Sequence, residues 1–229
     1  MILITGHKGY IGSLLSERID AIGIDLKDGM NLLTCNLPQN IDLIYHLAAQ
    51  SFVESSWHDP LHDADNLRIT IRLAKEYPKA RIIYASSAAT NSPITSPYGF
   101  SKWISGEYLK LFHNNYVICK FPNIYGLNNK SVVDKFKSSD RVTVYGDGLQ
   151  TRDYVHVRDI VRGLLLAKDW PKGEYEMGSG IATSVLDLTK EKKVTFAPAR
   201  KEAKESLLKN TTPNWSPTIN VLDYLYDTI

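Results

Sequence analysis

Apolar residues along the chain fall into short runs separated by longer amphipathic stretches. Ile2–Thr5 is one such run, and residues 41–47 are apolar almost throughout, as strands covered on both faces are. Residues 21–25 and 81–86 and the segment Tyr116–Phe121 repeat the pattern. Between them lie helical periodicities. Residues 10 to about 19 place Ile11, Leu14, Leu15 and Ile19 on one face, and residues 60 to about 77 begin at Pro60 and stop before Pro78. Residues 98–113 form a third helical stretch. Beyond Asn123 the pattern loosens into a strand at 142–145 closed by Gly146-Asp147-Gly148, a helix at 157–169 and a charged helix near 201–209. Strands alternating with helices predict the α/β class, with a doubly wound parallel sheet. The expected division is a core over residues 1–124, to which 142–169 contributes, and a smaller interleaved part over 125–229.

Composition narrows the function classes. The 229 residues are 43% hydrophobic and 23% charged, with a formal net charge of +2. That is a globular balance, with too little positive charge for a nucleic-acid partner. The opening apolar run is too short for a membrane span or an export signal. Cys35 and Cys119 have neither metal-site nor CxxC spacing, so reduced thiols and a cytoplasmic setting are expected. His58 and His62 stand four apart beside Asp59, Asp63 and Asp65. This stretch reads as a solvated helix start whose acids suit the helix dipole, and no metal is expected.

Gly6-His7-Lys8-Gly9-Tyr10-Ile11-Gly12 follows the first strand and opens the first helix. Glycines there permit a tight turn and close approach of the backbone to a pyrophosphate. The second strand ends at Asp25, followed by Leu26. An acid at that point accepts hydrogen bonds from the adenosine ribose and repels a 2′-phosphate, which favours NAD over NADP. The fold expected is therefore of Rossmann type.

Tyr98-Gly99-Phe100-Ser101-Lys102 puts a phenol and an ammonium on one helical face. A neighbouring ammonium favours phenolate, so a tyrosine of ordinary pKa about 10 can act as a base near neutrality. Ser87 ends the preceding strand and can polarise the same substrate oxygen.

Together with His46-Leu47-Ala48-Ala49-Gln50-Ser51, Asn66 with Thr70, Asn123-Ile124-Tyr125-Gly126, the run from Gly146 to Asp159 and Tyr175-Glu176-Met177-Gly178, these segments resemble the extended short-chain dehydrogenase/reductase family. The resemblance is to its NAD-dependent nucleotide-sugar epimerase/dehydratase branch, in shortened form. It implies Tyr98 as base, Lys102 as its partner and ribose anchor, and Ser87 as the hydroxyl that orients substrate. It implies a cofactor groove of Gly6, Gly9, Tyr10, Ile11, Gly12, Asp25, Leu26, Asn36, Leu37, Leu47, Ala48, Ala49, Asn66 and Phe121. It places Asn123, Arg152 and Arg200 toward the nucleotide-sugar, where a guanidinium suits a diphosphate. It also implies a homodimer built on the helices at 60–77 and 98–113.

Where the dehydratases of that branch carry Thr-Asp-Glu, this chain has Ser87-Ala88-Ala89. Alanine transfers no protons, so the resemblance points to 4-epimerisation through a transient 4-keto sugar, with a UDP-hexose as the expected substrate. Two alternatives stand beside it. Gly6-His7-Lys8-Gly9 also resembles the first turn of NADP-dependent 4-keto-sugar reductases. The short spacing from Gly12 to Asp25, Asn91 and Lys120 in place of the usual tyrosine and arginine, and the reduced C-terminal part allow a non-catalytic NAD-binding protein.

Overall fold

The structure is a computed structural model that describes residues 1–91, 94–126, 131–190, 192–199 and 204–226. Its elements in chain order are β1 (Ile2–Thr5), α1 (Tyr10–Ser16), β2 (Ile22–Ile24), β3 (Leu43–His46), α2 (Val53–Ser56), α3 (Pro60–Glu76), β4 (Arg81–Ser87), α4 (Pro97–Phe112), β5 (Tyr116–Phe121) and β6 (Asn123–Tyr125). They continue as α5 (Val132–Lys137), β7 (Arg141–Tyr145), β8 (Thr151–Arg152), β9 (Tyr154–His156), α6 (Val157–Ala167), β10 (Gly173–Glu176), β11 (Thr183–Ser184), β12 (Lys193–Ala197), β13 (Glu205–Ser206) and α7 (Val221–Tyr226). Two compact units result. One comprises Met1–Lys120 with Leu164–Tyr175, the other Phe121–Gly163 with Glu176–Ile229. Of the 142–169 stretch assigned to the core from sequence, the part from Leu164 onward joins the first unit.

The first unit carries the sheet β10-β5-β4-β3-β1-β2. Strands β2, β1, β3 and β4 run parallel, with Leu3 opposite both Ile22 and Ile44. The chain starts in the interior of this sheet, moves one way to β2 and then the other way to β3. The strand order thus reverses between β1 and β3, where such sheets bind ligands beyond the strand ends. Leu3, Ile44, Ile82, Tyr84, Leu73, Leu109 and Ile118 are buried in one cluster. Each such side chain removed from water contributes roughly 1.5–3 kcal/mol.

One polar row crosses this core. His46 lies 2.9 Å from the Thr5 hydroxyl through Nδ1 and 3.1 Å from the Thr70 hydroxyl through Nε2. Thr70 donates to the Asn66 carbonyl, and the Ala48 amide donates to Thr5. Burial lowers the His46 pKa to about 3, with the Lys102 charge adding to the effect.

In the second unit β6 pairs with β9, β7 with β12, and β8 lies between β11 and β13. Asp159 on α6 gathers the Arg162 guanidinium, the backbone amides of Thr218 and Ile219 and the Thr218 hydroxyl. Burial alone would raise its pKa, but these bonds hold it below the usual carboxylate value.

Three expected elements differ. Helix α1 stops at Ser16, short of Ile19, and the second strand ends at Ile24, leaving Asp25 to accept from the Lys27 amide at the start of a 3-10 turn. The charged helix expected near 201–209 is not formed in its described part, where Glu205–Ser206 is a strand. The Thr151 amide bonds to the Lys204 carbonyl and the Asp153 amide to the Ser206 carbonyl. The open edge of β8 thus captures this segment, and tertiary pairing outweighs the helix propensity of its Lys, Glu and Ala residues.

Candidate active site

The glycine turn is shaped by what cannot fit in it. Gly6 has φ +76°, and a Cβ there would lie 2.8 Å from the Ala48 nitrogen. A Cβ on Gly12 would lie 2.1 Å from the Gly6 carbonyl oxygen. The turn after β1 and the Leu47-Ala48 step after β3 therefore abut at the point where strand order reverses. The side chain of Asp25 stands beside them, with Oδ2 accepting from the Lys8 amide at 3.0 Å and Oδ1 from the Lys27 amide at 2.9 Å. A backbone groove without side chains, next to an acid held at the end of β2, fits a dinucleotide's pyrophosphate and adenosine ribose. Tyr10, Ile11 and Ala49 are half-buried around this turn, while Leu26 is exposed. Asn36 is exposed in the segment after the 3-10 turn, and Leu37 packs against the core.

Helix α4 brings the catalytic candidates together. Ser96 caps it by accepting from the Gly99 amide at 3.0 Å, and Pro97 occupies the first turn without wasting an N–H. A Cβ on Gly99 would lie 2.4 Å from the Ala89 carbonyl oxygen. This close approach presses the start of α4 onto the turn after β4, and the Tyr98 phenol reaches the Ser87 hydroxyl as a hydrogen-bond partner. Ser87 Oγ itself accepts from the Ala89 amide at 3.2 Å.

Electrostatics differ from the expectation of a phenol acidified by its lysine. Burial raises the Tyr98 pKa, the Ser87 bond lowers it, and the carboxylate of Asp63, itself buried on α3, raises it again. Burial brings the Lys102 pKa down to about 7. Its ammonium lies 4.2 Å above the centre of the Tyr84 ring. Without a bound partner Lys102 thus sheds its charge near neutrality, because the site desolvates it.

Asn66 on α3 accepts from the Gln50 amide at 2.9 Å and donates to the Ser101 hydroxyl at 3.0 Å, and Ser101 donates to the Tyr98 carbonyl at 2.9 Å. It anchors α4 from beneath. Sequence reasoning missed Tyr84, Asp63, Gly99 and Ser101. Gly99 and Ser101 stand inside the Tyr98–Lys102 motif, and that is the trace they left. Asn91 and Lys120, the two departures from the family pattern, meet at 3.4 Å, and Lys120 also pairs with Glu174.

Phe121, buried at the end of β5, belongs to the second unit, as do Asn123 and Arg152. The Asn123 amide bonds the Asp153 carbonyl at 3.0 Å, which sets Asn123 beside the residue following Arg152. Arg152 is buried, with Nη1 on the Thr151 carbonyl at 2.7 Å. Arg200 lies outside the described residues, as does the side chain of His62. Among the described residues no three His, Cys, Asp or Glu side chains gather as a metal site, and no helix is long and apolar enough to cross a membrane.

Fold, glycine groove and acid together define a dinucleotide-binding α/β protein of Rossmann type. The chain belongs to the NAD dependent epimerase/dehydratase family, whose model matches residues 2–178. It is accordingly an enzyme, and its cofactor is NAD. The chain is 29% identical over 243 residues to a putative UDP-glucose 4-epimerase of Methanocaldococcus jannaschii, covering 82% of this chain and 80% of that protein. The structure of UDP-glucose 4-epimerase from Thermotoga maritima, solved with UDP-glucose, is 25% identical and superposes with a TM-score of 0.84, covering 98% of this chain and 96% of that one. An NAD-dependent NDP-hexosamine 5,6-dehydratase of tunicamycin biosynthesis shares the fold at 22% identity and a TM-score of 0.78, covering 91% and 88%. Epimerases and dehydratases both stand among the neighbours, which places this chain among NAD-dependent nucleotide-sugar enzymes.

Proposed function

We propose that the chain is a nucleotide-sugar 4-epimerase acting on a UDP-hexose. One observation carries this reading: the turn after β4 offers Ser87 followed by two alanines, with the Tyr98 phenol bonded to Ser87. NAD, when bound, supplies a reversible hydride acceptor. The chain's residues handle the proton. Ser87 accepts from the Ala89 amide and turns its own hydrogen toward Tyr98, from where it can swing to hold a sugar oxygen. Tyr98 takes the proton from that oxygen and returns it after the sugar has presented its other face. Elimination of water needs a further acid and base where Ala88 and Ala89 stand, and methyl groups move no protons. Lys102 holds the nicotinamide ribose, and Asn123, Arg152 and Arg200 receive the nucleotide-sugar, Arg152 through its diphosphate.

Incubation with UDP-galactose or UDP-N-acetylgalactosamine, followed by the anomeric NMR signals, tests this reading. The expected result is a mixture of both C4 epimers. A 4-keto-6-deoxy product, or no epimer from protein that holds NAD, overturns it. Tyr98→Phe should lower turnover at least 1,000-fold with NAD retained, on the scale of losing a general base.

The same reading includes a homodimer. Phe100 and Trp103 on α4 are 54% and 39% exposed with ring centres 5.8 Å apart, and Leu61 on α3 is 77% exposed. A second copy covering these two helices removes this apolar surface from water. Trp103→Glu is expected to convert dimer to monomer in sedimentation velocity. A cytoplasmic setting is proposed on Cys35 and Cys119, which are both free thiols.

A further inference from the structure

The end of β2 holds more charge than an acid alone. Two lysines are tied to Asp25 through their backbone amides, Lys8 at 3.0 Å and Lys27 at 2.9 Å. Both ammonium groups are engaged. That of Lys27 donates to the Lys8 carbonyl at 2.7 Å, and that of Lys8 pairs with Asp28. His7 Nε2 lies 3.1 Å from the other Asp28 oxygen. The His7 ring rests on β2 where Gly23 has no side chain, since a Cβ on Gly23 would lie 2.4 Å from His7 Cγ. Asp28 is therefore gripped on both oxygens by the residues of the glycine turn, and its side chain is 23% exposed.

We propose that Asp28 is a specificity-determining residue for the cofactor: its carboxylate cancels the Lys8 ammonium and so keeps out a dinucleotide bearing a 2′-phosphate. The ribose 2′-oxygen of a bound dinucleotide sits against the acid at the end of the second strand, and a cation near that acid is what admits a phosphate there. Lys8 is such a cation by position. The cluster holds two carboxylates, Asp25 and Asp28, and two ammonium groups, those of Lys8 and Lys27, so a phosphate dianion finds no surplus positive charge. Removing one carboxylate charge creates that surplus within a Debye length of the 2′-oxygen. The inference rests on dinucleotide binding at the glycine turn and is independent of the sugar chemistry.

The experiment is calorimetric titration of the full chain, freed of endogenous nucleotide, with NAD+ and with NADP+. The unaltered chain is expected to prefer NAD+. Asp28→Asn is expected to tighten NADP+ about tenfold while NAD+ changes less than about threefold, which also shows that the variant is folded. Adding Lys8→Met to Asp28→Asn should return NADP+ to its original affinity. The proposal is overturned if the unaltered chain binds NADP+ as tightly as NAD+, if Asp28→Asn leaves NADP+ unchanged, or if Lys8→Met fails to reverse the gain. Failure of the unaltered chain to bind either dinucleotide overturns the cofactor assignment and this proposal together.

Discussion

Lys102 and Tyr98 show how burial sets the chemistry of single groups. Lys102 has a folded pKa of about 7, below its ordinary 10.5. Between these values the unfolded chain binds more protons, so stability rises with pH from about 7 to 10.5; below 7 the group adds no pH dependence and its cost to stability is at its largest. Lys102→Met should flatten that rise and stabilise the NAD-free chain at pH 7 by roughly 1–4 kcal/mol, measured by urea unfolding, while abolishing turnover. Asp63 raises the Tyr98 pKa. Asp63→Asn should therefore move the acid limb of the kcat/KM profile to lower pH, as a base of lower pKa loses its proton sooner. The Tyr98–Lys102 spacing was legible in sequence because both residues lie on one turn of one helix. Asp63 was not, because only the packing of α3 against α4 brings it near.

Elements whose signals are local were read well. Strands β1, β4 and β5 and helices α3 and α4 fall within a residue or two of expectation, since apolar runs, prolines and caps define them. The described part of the 201–209 segment was misread because the Glu205–Ser206 strand exists through backbone bonds to β8, a partner some fifty residues away. The junction between β4 and α4 belongs to this scale too. Gly99→Ala would force its methyl into the Ala89 carbonyl and lift Tyr98 from Ser87. The expected outcome is a fall in kcat of about 100-fold, with NAD still bound and the thermal midpoint lowered by several degrees.

At the scale of the whole chain, the parallel sheet covered by helices followed from alternation, and the glycine turn after its first strand from glycine spacing; the strand order did not. The two units divide inside α6, between Gly163 and Leu164, a boundary made by long-range contacts that no local pattern marks. Acid stability is also a property of the whole. His46 is held neutral with a pKa of about 3 against 6.5 when unfolded. Stability is fully present above pH 6.5 and is lost as pH falls toward 3, by up to a few kcal/mol. His46→Gln should shrink that loss in urea midpoints taken across this range. The row through His46 has a further property. Thr70 spends its hydroxyl proton on the Asn66 carbonyl, so toward the ring it can only accept. The imidazole must then carry its hydrogen on Nε2 and take the Thr5 hydrogen at Nδ1. From the Ala48 amide to the Asn66 carbonyl every donor points the same way, so the ring is locked in one tautomer, and protonating it forces Thr5 to turn around.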